Sequence, residues 1–405
     1  MDVEIRTISK DEFATYARAV EMAFSDVPSD EDIERERVLV EYERSFAAFD
    51  GPDIVGTGAT FTMPMTVPGG ELDVGYVTAV GVRATHRRRG INTRLMRAVL
   101  DDAHERGELV DVLYASEGGI YGRYGYGLGT FGYSIDLERS RSAFVRGYAP
   151  SGTTRLLERD PALKDILVVH DATRRSRPGM VELDERRLVY ALHEHGDDAK
   201  LPQMFVLHEG TDGVDGYAVY RVKHDWPEGY PRSVLTVRDL QATTPGAYAD
   251  LWRYVFEVDL VERVVAWSRP VDEPLVHLLQ EPRRLGATLR DNLWVRTVDV
   301  AGALGARRYS TDARIVLEVM DPFCPWNEGR YLLETIGGEA NVTPATTEPP
   351  DLACSVNEIG ATYLGGTSFR ELQRAGRVDE HTEGASARAD AMFGWAPAPW
   401  CPYIF

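Results

Sequence analysis

The stretch from Val74 to about Ala115 constrains the fold more than any other part of the chain. VGYVTAVGV (Val74–Val82) reads as a strand, and RATHRRRG follows it at once. In INTRLMRAVLDDAHERG, residues Ile91, Leu95, Val99 and Ala103 mark one apolar helical face that ends near Gly107. LVDVLYA then reads as a second strand. Strand, basic loop, amphipathic helix and strand in direct succession define an α/β unit. The segment Arg83–Arg97 holds six arginines and no acid, although the chain carries a net charge of −19.

The rest of the chain sets the terms for reading that cluster. With 405 residues, two or three domains are expected. A hydrophobic content of 43% is enough for full cores, and no apolar run approaches the ~18 residues of a membrane span. MDVEIRTISKDEF carries acids and no apolar core of a secretory signal. Cys324, Cys354 and Cys401 are too sparse for a disulfide framework and fit a reducing cytoplasm. The acidic balance argues against nucleic acid as a partner and favours cationic or amine-bearing ones. Only four of the 45 basic residues are lysine (Lys10, Lys164, Lys200, Lys223), so a single arginine means little here. A cluster without interleaved acids still does.

Before the α/β unit, Ser9 and Glu12 form a capping-box pattern ahead of a helix bearing Phe13, Tyr16, Ala17, Val20 and Phe24. SDEDIERER reads as a solvated helix or loop, and SFAAF and IVGTGATFTMPM as a hairpin closed by DGPD. About 160 residues later, SVLTVRDLQATTPGAYADLWRYVFEVDLVERVVAWS repeats the strand, loop, helix, strand order without the arginines. This is either a divergent duplication or the ordinary recurrence of that order in α/β proteins. The last ~115 residues change character, by the usual size of a domain. They start with a strand near Leu293–Val300 and add a strand pair around DPFCPWNEG and glycine-punctuated helical pieces. The tail FGWAPAPWCPYIF is too apolar to be left in water, so burial is expected.

A helix entered from a glycine-containing loop offers free backbone N–H groups and the positive end of its dipole, which suits phosphate. Arg88 and Arg89 can add charge-assisted bonds, and Gly90 allows close backbone approach. The loop matches neither GxxxxGK[ST] nor GxGxxG. It does carry R-x-x-G-x from Arg87 to Ile91 directly after a V-x-V strand, and so resembles the pyrophosphate loop of the GNAT N-acetyltransferases. A longer likeness follows. ASEGGIYGRYGYG (Ala115–Gly127), DPFCPWNEGRYLLE, YLGG with SF, and the PWC-x-x-x-Phe ending resemble the enhanced intracellular survival (Eis) family of GNAT enzymes.

The resemblance implies an α/β (α+β) protein of two fused GNAT domains, the second degenerate, plus a C-terminal sterol-carrier-like α+β domain. The expected bounds are 1–148, 149–290 and 291–405. It implies acetyl-CoA as cosubstrate, held by the backbone of Val80, Gly81 and Val82 and by Arg88, Arg89, Gly90, Ile91, Asn92 and Thr93, with Ser116 and Glu117 alongside. Asn92 stands where general GNAT patterns carry Gly or Ala, and its backbone N–H remains available. The family's catalytic tyrosine corresponds to Tyr121. Its phenol, with an ordinary pKa of about 10, suits protonation of a departing thiol of about 8.5. The general base in the family is the terminal carboxylate, here that of Phe405. An alkylamine is only ~0.1% neutral near pH 7.4, so a base or a lowered amine pKa is required. A base at Phe405 also accounts for the apolar tail, which must be buried to bring the terminus to the site.

The implied substrate is a small molecule bearing primary amines, polyamine-like or aminoglycoside-like, or a lysine side chain. Phe24, Asp26 and Met65 are the candidate substrate contacts. Aminoglycoside-modifying relatives commonly place an acid before the terminal Phe, where this chain has Ile404. The family likeness further implies a homohexamer in the cytoplasm. No metal is expected: His193-Glu194-His195 with Asp197 and Asp198 reads as a solvated turn. The alternative function from another class is a carrier of lipid or other hydrophobic ligand, with the GNAT domains as scaffold.

Overall fold

The computed structural model describes residues 3–37, 39–145, 147–193 and 199–405. In chain order the elements begin with β1 (Glu4–Thr7), α1 (Phe13–Ala23), α2 (Asp30–Glu36), β2 (Ser45–Asp50), β3 (Asp53–Val67) and β4 (Gly70–Val82). They continue with α3 (Ile91–Glu105), β5 (Val110–Tyr114), α4 (Gly118–Tyr121) and β6 (Gly127–Leu128). The middle of the chain forms β7 (Phe131–Glu138), β8 (Thr153–Leu157), α5 (Arg159–Arg174), α6 (Glu185–Ala191), β9 (Gln203–Gly210) and β10 (Gly213–Lys223). After these come β11 (Ser233–Ala242), α7 (Pro245–Glu257), β12 (Val261–Pro270), α8 (Leu275–Leu278) and β13 (Thr288–Asp291). The last part holds β14 (Leu293–Thr297), α9 (Val300–Ala306), β15 (Ala313–Met320), β16 (Gly329–Ile336) and β17 (Glu339–Pro344). It closes with β18 (Leu352–Ser355), α10 (Val356–Tyr363), α11 (Phe369–Arg374), β19 (Val378–Glu380) and α12 (Ala385–Phe393).

Two compact units result. One comprises the described residues up to Thr130, Leu293–Ala396 and Phe405; the other comprises Phe131–Asn292 and Pro397–Ile404. The first unit holds a seven-stranded sheet of order β1-β2-β3-β4-β5-β14-β6 and the second one of order β13-β7-β12-β11-β10-β9-β8. Read from the other edge, the second sheet repeats the first. Four strands in sequence, the fourth paired in parallel with the fifth (β4 with β5, β11 with β12), are followed by a strand from a distant part of the chain and then an edge strand. The distant strand is β14 in the first sheet and β7 in the second. This shared order makes the second strand–loop–helix–strand segment a duplication of the first. The chain passes between the two units at Thr130/Phe131, Asn292/Leu293, Ala396/Pro397 and Ile404/Phe405. Leu293–Thr297, read from sequence as the opening of the third domain, lies in the first sheet between β5 and β6.

Helix α3 covers one face of the first sheet. Its buried residues Ile91, Leu95, Met96, Val99, Leu100 and Ala103 fall at helical spacing and pack with Phe46, Val55, Val77 and Leu113. Each of the larger ones contributes about 1.5–3 kcal/mol by leaving water. The same unit contains a five-stranded sheet of order β17-β16-β15-β18-β19, packed under α9 to α12. Its interior includes Arg307, 1% exposed, whose guanidinium donates to the carbonyls of Thr362, Tyr363 and Phe393 beneath the rings of Tyr309 and Phe393.

In the second unit the tail is buried as its composition requires. Trp400 Nε1 donates to the Ser268 carbonyl at 2.8 Å, and the Cys401 carbonyl accepts from Ser268 Oγ and Asn292 Nδ2, both at 3.1 Å. Tyr403 and Tyr217 both donate to Asp239 Oδ2, at 2.5 and 2.6 Å. The three cysteines are free and buried. No described helix is long and apolar enough to cross a membrane. Residues 194–198 of the His193–Asp198 turn lie outside the described residues, and among those described no three potential metal ligands cluster.

Candidate active site

The site begins with a parting of two strands. β4 and β5 pair in parallel only at Gly75 with Asp111 and Tyr76 with Val112; beyond that point β4 runs on to Val82 without pairing β5. A bulge on the β3 side accompanies the split: the register slips between Thr57 and Ala59, and Ala79 takes a φ of +54°. A non-glycine residue at positive φ is costly and persists only where its surroundings hold it. Here Thr57 Oγ1 donates to the Ala79 carbonyl at 2.7 Å. The parted segment is Val80–Val82, half-buried, and among the described residues no strand pairs with its backbone on the β5 side.

Directly after the parted strand comes the basic loop. Gly90 caps α3 with φ +75°, a conformation that suits glycine, and no side chain caps the helix start. The first-turn N–H groups of Ile91, Asn92 and Thr93 therefore face outward with the positive end of a fifteen-residue helix. The six arginines divide by role. Arg87 donates to the carbonyls of Val82 and Ala23, Arg94 to that of Val3, and Arg97 to that of Phe323, while Arg83 lies 3.9 Å from Asp53. Arg88, at φ +62°, and Arg89 are exposed beside the helix start. The Asn92 side chain has a use that the sequence did not suggest: Nδ2 donates to the Tyr124 hydroxyl at 3.2 Å, with Thr93 Oγ1 at 3.4 Å from the same oxygen.

Past β5 the chain turns through Ser116 and Glu117, both exposed, into α4, which ends on Tyr121. Tyr121 is 5% exposed and meets Tyr126 edge-on at 6.1 Å. Burial raises its phenol above the ordinary value near 10, while a hydrogen bond with the Ser116 side chain opposes the shift in part. The phenol is held protonated at neutral pH.

On the opposite sheet face, Phe61 and Tyr76 stack at 5.5 Å. The Phe405 ring stands edge-on to them at 6.0 and 4.6 Å, and to Tyr114 at 5.4 Å. Thr78 Oγ1 donates to the Phe405 backbone oxygen at 3.1 Å. Phe405 thus lies over the strands where they part. Of the candidate substrate contacts, Phe24 and Asp26 are exposed just past α1, with the Phe24 ring beside Gly81. Met65 is fully buried, so its side chain belongs to the interior. Thr57, Thr78, Phe61 and Tyr76 were missed by sequence reading. Their signal was the strand alternation itself, which marks a buried face and names no role for it.

The second unit offers a contrast. Helix α7 begins with Pro245, which has no N–H, and Thr244 Oγ1 accepts the hydrogen bond of Ala247 N at 3.2 Å. With no arginine in LQATTPG, that helix start satisfies itself and presents nothing for an anion.

A parted strand followed by an uncapped, arginine-flanked helix start defines an acyltransferase of the GNAT class. Residues 4–129 and 177–297 each match the acetyltransferase (GNAT) domain family, and residues 300–402 match the sterol carrier protein domain. A Streptomyces avermitilis protein named as an uncharacterized N-acetyltransferase is 40% identical over the whole of both chains. The N-acetyltransferase Eis of Mycobacterium tuberculosis is 30% identical over 97% of each. The crystal structure of Eis1 from Mycobacterium abscessus superposes with a TM-score of 0.86 at 32% identity, covering 99% of this chain and all of that one. The chain belongs to the Eis family of GNAT N-acetyltransferases, with two GNAT domains and a sterol-carrier-like domain.

Proposed function

We propose that the enzyme acetylates a primary amine of a polyamine-like, aminoglycoside-like or lysine substrate by direct transfer. In this reading Tyr121 is the general acid and the Phe405 carboxylate the general base. The observation that carries it is the juxtaposition at the strand split: an open helix start at one end of Val80–Val82 and Phe405 seated over the parting strands.

The residues fit acetyl-CoA. A diphosphate would be held by the N–H groups of Gly90, Ile91, Asn92 and Thr93 with Arg88 and Arg89, and the pantetheine amides by the backbone of Val80–Val82. Ser116 and Glu117 border the same space. When bound, the cosubstrate supplies an acetyl group activated as a thioester. Around it the protein moves two protons. The Phe405 carboxylate takes one from the attacking amine, directly or through a water, and Tyr121 gives one to the departing sulfur. An N–H in the split stabilises charge developing on the carbonyl oxygen. Phe24 and Asp26 border the amine's approach; Met65 supports the wall from within. Asp26 and the acidic surface favour a cation.

The carrier alternative finds no support in the interior of the sterol-carrier-like domain, where the Arg307 cation is packed among aromatic rings and carbonyls. A lipid tail gains nothing beside a buried guanidinium. A homohexamer completes the reading, and light scattering measures it directly. The test of function is thiol release from acetyl-CoA with polyamines, aminoglycosides, aromatic amines and a lysine peptide. Turnover confined to one amine class names the substrate. No turnover with any of them, despite CoA binding, overturns the proposed substrate range.

A further inference from the structure

The segment that carries Tyr121 is held from outside its own domain. Between Tyr121 and Tyr126 the chain makes a tight turn, with Gly125 at φ +88° and its N–H bonded to the Gly122 carbonyl. Two carbonyls of this turn, those of Gly122 and Tyr126, accept hydrogen bonds of 2.7 and 2.8 Å from one group, Asn357 Nδ2. Asn357 lies in the first turn of α10, in the sterol-carrier-like domain. Its amide is committed at every atom: while the NH2 donates to both carbonyls, Oδ1 accepts from Ser355 Oγ at 2.6 Å. The two carbonyls, which can only accept, fix which end of the amide faces the turn. The backbone fits as closely. A Cβ on Gly127 would fall 1.8 Å from the Asn357 carbonyl oxygen and 2.6 Å from Ala361 N, so only a glycine lets α10 lie on β6.

We infer that Asn357 is a positioning residue for Tyr121, so that the sterol-carrier-like domain sets the geometry of proton donation to the leaving sulfur. The inference rests on the reading of Tyr121 as the general acid. A side chain with two N–H donors, locked at its oxygen, clamps both ends of the turn; few other residues supply that pattern. Loss of the clamp takes the side-chain donor from the Tyr126 carbonyl, leaves the Gly122 carbonyl with the Gly125 N–H, and unties the turn from α10. Misplacement of a catalytic group by about 1 Å costs on the order of 100-fold in rate.

The experiment compares Asn357→Ala and Asn357→Asp, alone and combined with Tyr121→Phe, in the full chain with an accepted amine. Asn357→Asp is isosteric but presents only acceptors to two acceptors at neutral pH. The expected result is a fall in kcat of roughly 10–100-fold for Asn357→Ala and no less for Asn357→Asp, with KM for acetyl-CoA within about twofold. In the Tyr121→Phe background neither change lowers kcat further. Thermal melting separates loss of fold from loss of position, and the isosteric variant keeps the test open where the alanine variant is unstable. Full activity in Asn357→Asp overturns the inference, as does a multiplicative loss in the double variants. If Tyr121→Phe is itself silent, the general-acid reading fails, and the Asn357 single variants then show whether the clamp acts on anything else.

Discussion

Thr78 Oγ1 donates a 3.1 Å hydrogen bond to the backbone oxygen of Phe405, 327 positions further along the chain. The Phe405 ring is fixed at the same time by Tyr76, Tyr114 and Phe61. Two independent anchors, one polar and one aromatic, hold a single residue over the strand split.

One glycine added after Phe405 is therefore expected to abolish most activity. It turns the proposed base into an amide and displaces the new carboxylate by one residue, about 3.5 Å of chain. A loss of kcat of about 100-fold or more, with CoA binding retained, is the expected result in thiol-release kinetics, because general-base catalysis contributes on that scale.

Tyr121→Phe removes a proton donor without changing the packing against Tyr126. The expected fall in kcat is about 100- to 10,000-fold. The sign of the native pH dependence follows from burial. A general acid must be protonated, and a phenol pushed above its ordinary value stays so through pH 9 and beyond. Activity should rise with pH as the amine loses its proton and show no decline from Tyr121 below about pH 10. A falling limb near pH 8 that vanishes in Tyr121→Phe would contradict this assignment.

Arg88→Ala and Arg89→Ala should each raise KM for acetyl-CoA about 10-fold, the scale of one hydrogen bond to a charged group. With kcat little changed, the loss identifies binding rather than chemistry. Both arginines are exposed, so added salt should shrink the difference between variant and native enzyme.

Asp111 offers a test of stability. It is fully buried on β5, opposite Arg296 on β14, and among the described residues neither carboxylate oxygen has a hydrogen-bond partner. Burial, reinforced by Glu108, raises its pKa well above the ordinary carboxylate value, against the opposing influence of Arg44 and Arg296. The folded state thus keeps a proton that the unfolded chain gives up near pH 4. Stability from this group is complete below that pH and is lost progressively as pH rises above it. Asp111→Asn should melt higher than the native protein at neutral pH, with the gap closing as the pH falls toward 4. Equal melting temperatures across that range would mean that the carboxylate is ionised and satisfied in the fold.

Much of the site was legible in one local stretch. A strand, an arginine-glycine loop and an amphipathic helix occupy consecutive residues, an order that suits a helix start to an anion. The same residues also hid their division of labour. Arg88 and Arg89 could be singled out from their place before Gly90, whereas only folding shows that Arg87, Arg94 and Arg97 donate to carbonyls. LVDVLYA reads as a strand, and nothing in that pattern shows that Asp111 is buried with Arg44, Glu108 and Arg296 as charged neighbours.

By itself, then, the sequence determined the α/β units, the open helix start at Gly90 and the need to bury the aromatic tail. These depend on periodicity, on a glycine at positive φ and on apolar area, all properties of neighbouring residues. Tertiary structure alone decided that β14 enters the first sheet and β7 the second, that Thr57 sustains the bulge at Ala79, and that Asn357 grips the Tyr121 turn. Each of those joins residues far apart in the chain. A hydrogen bond across such a distance depends on which strands pair and in what register, and the local pattern of neither partner specifies it.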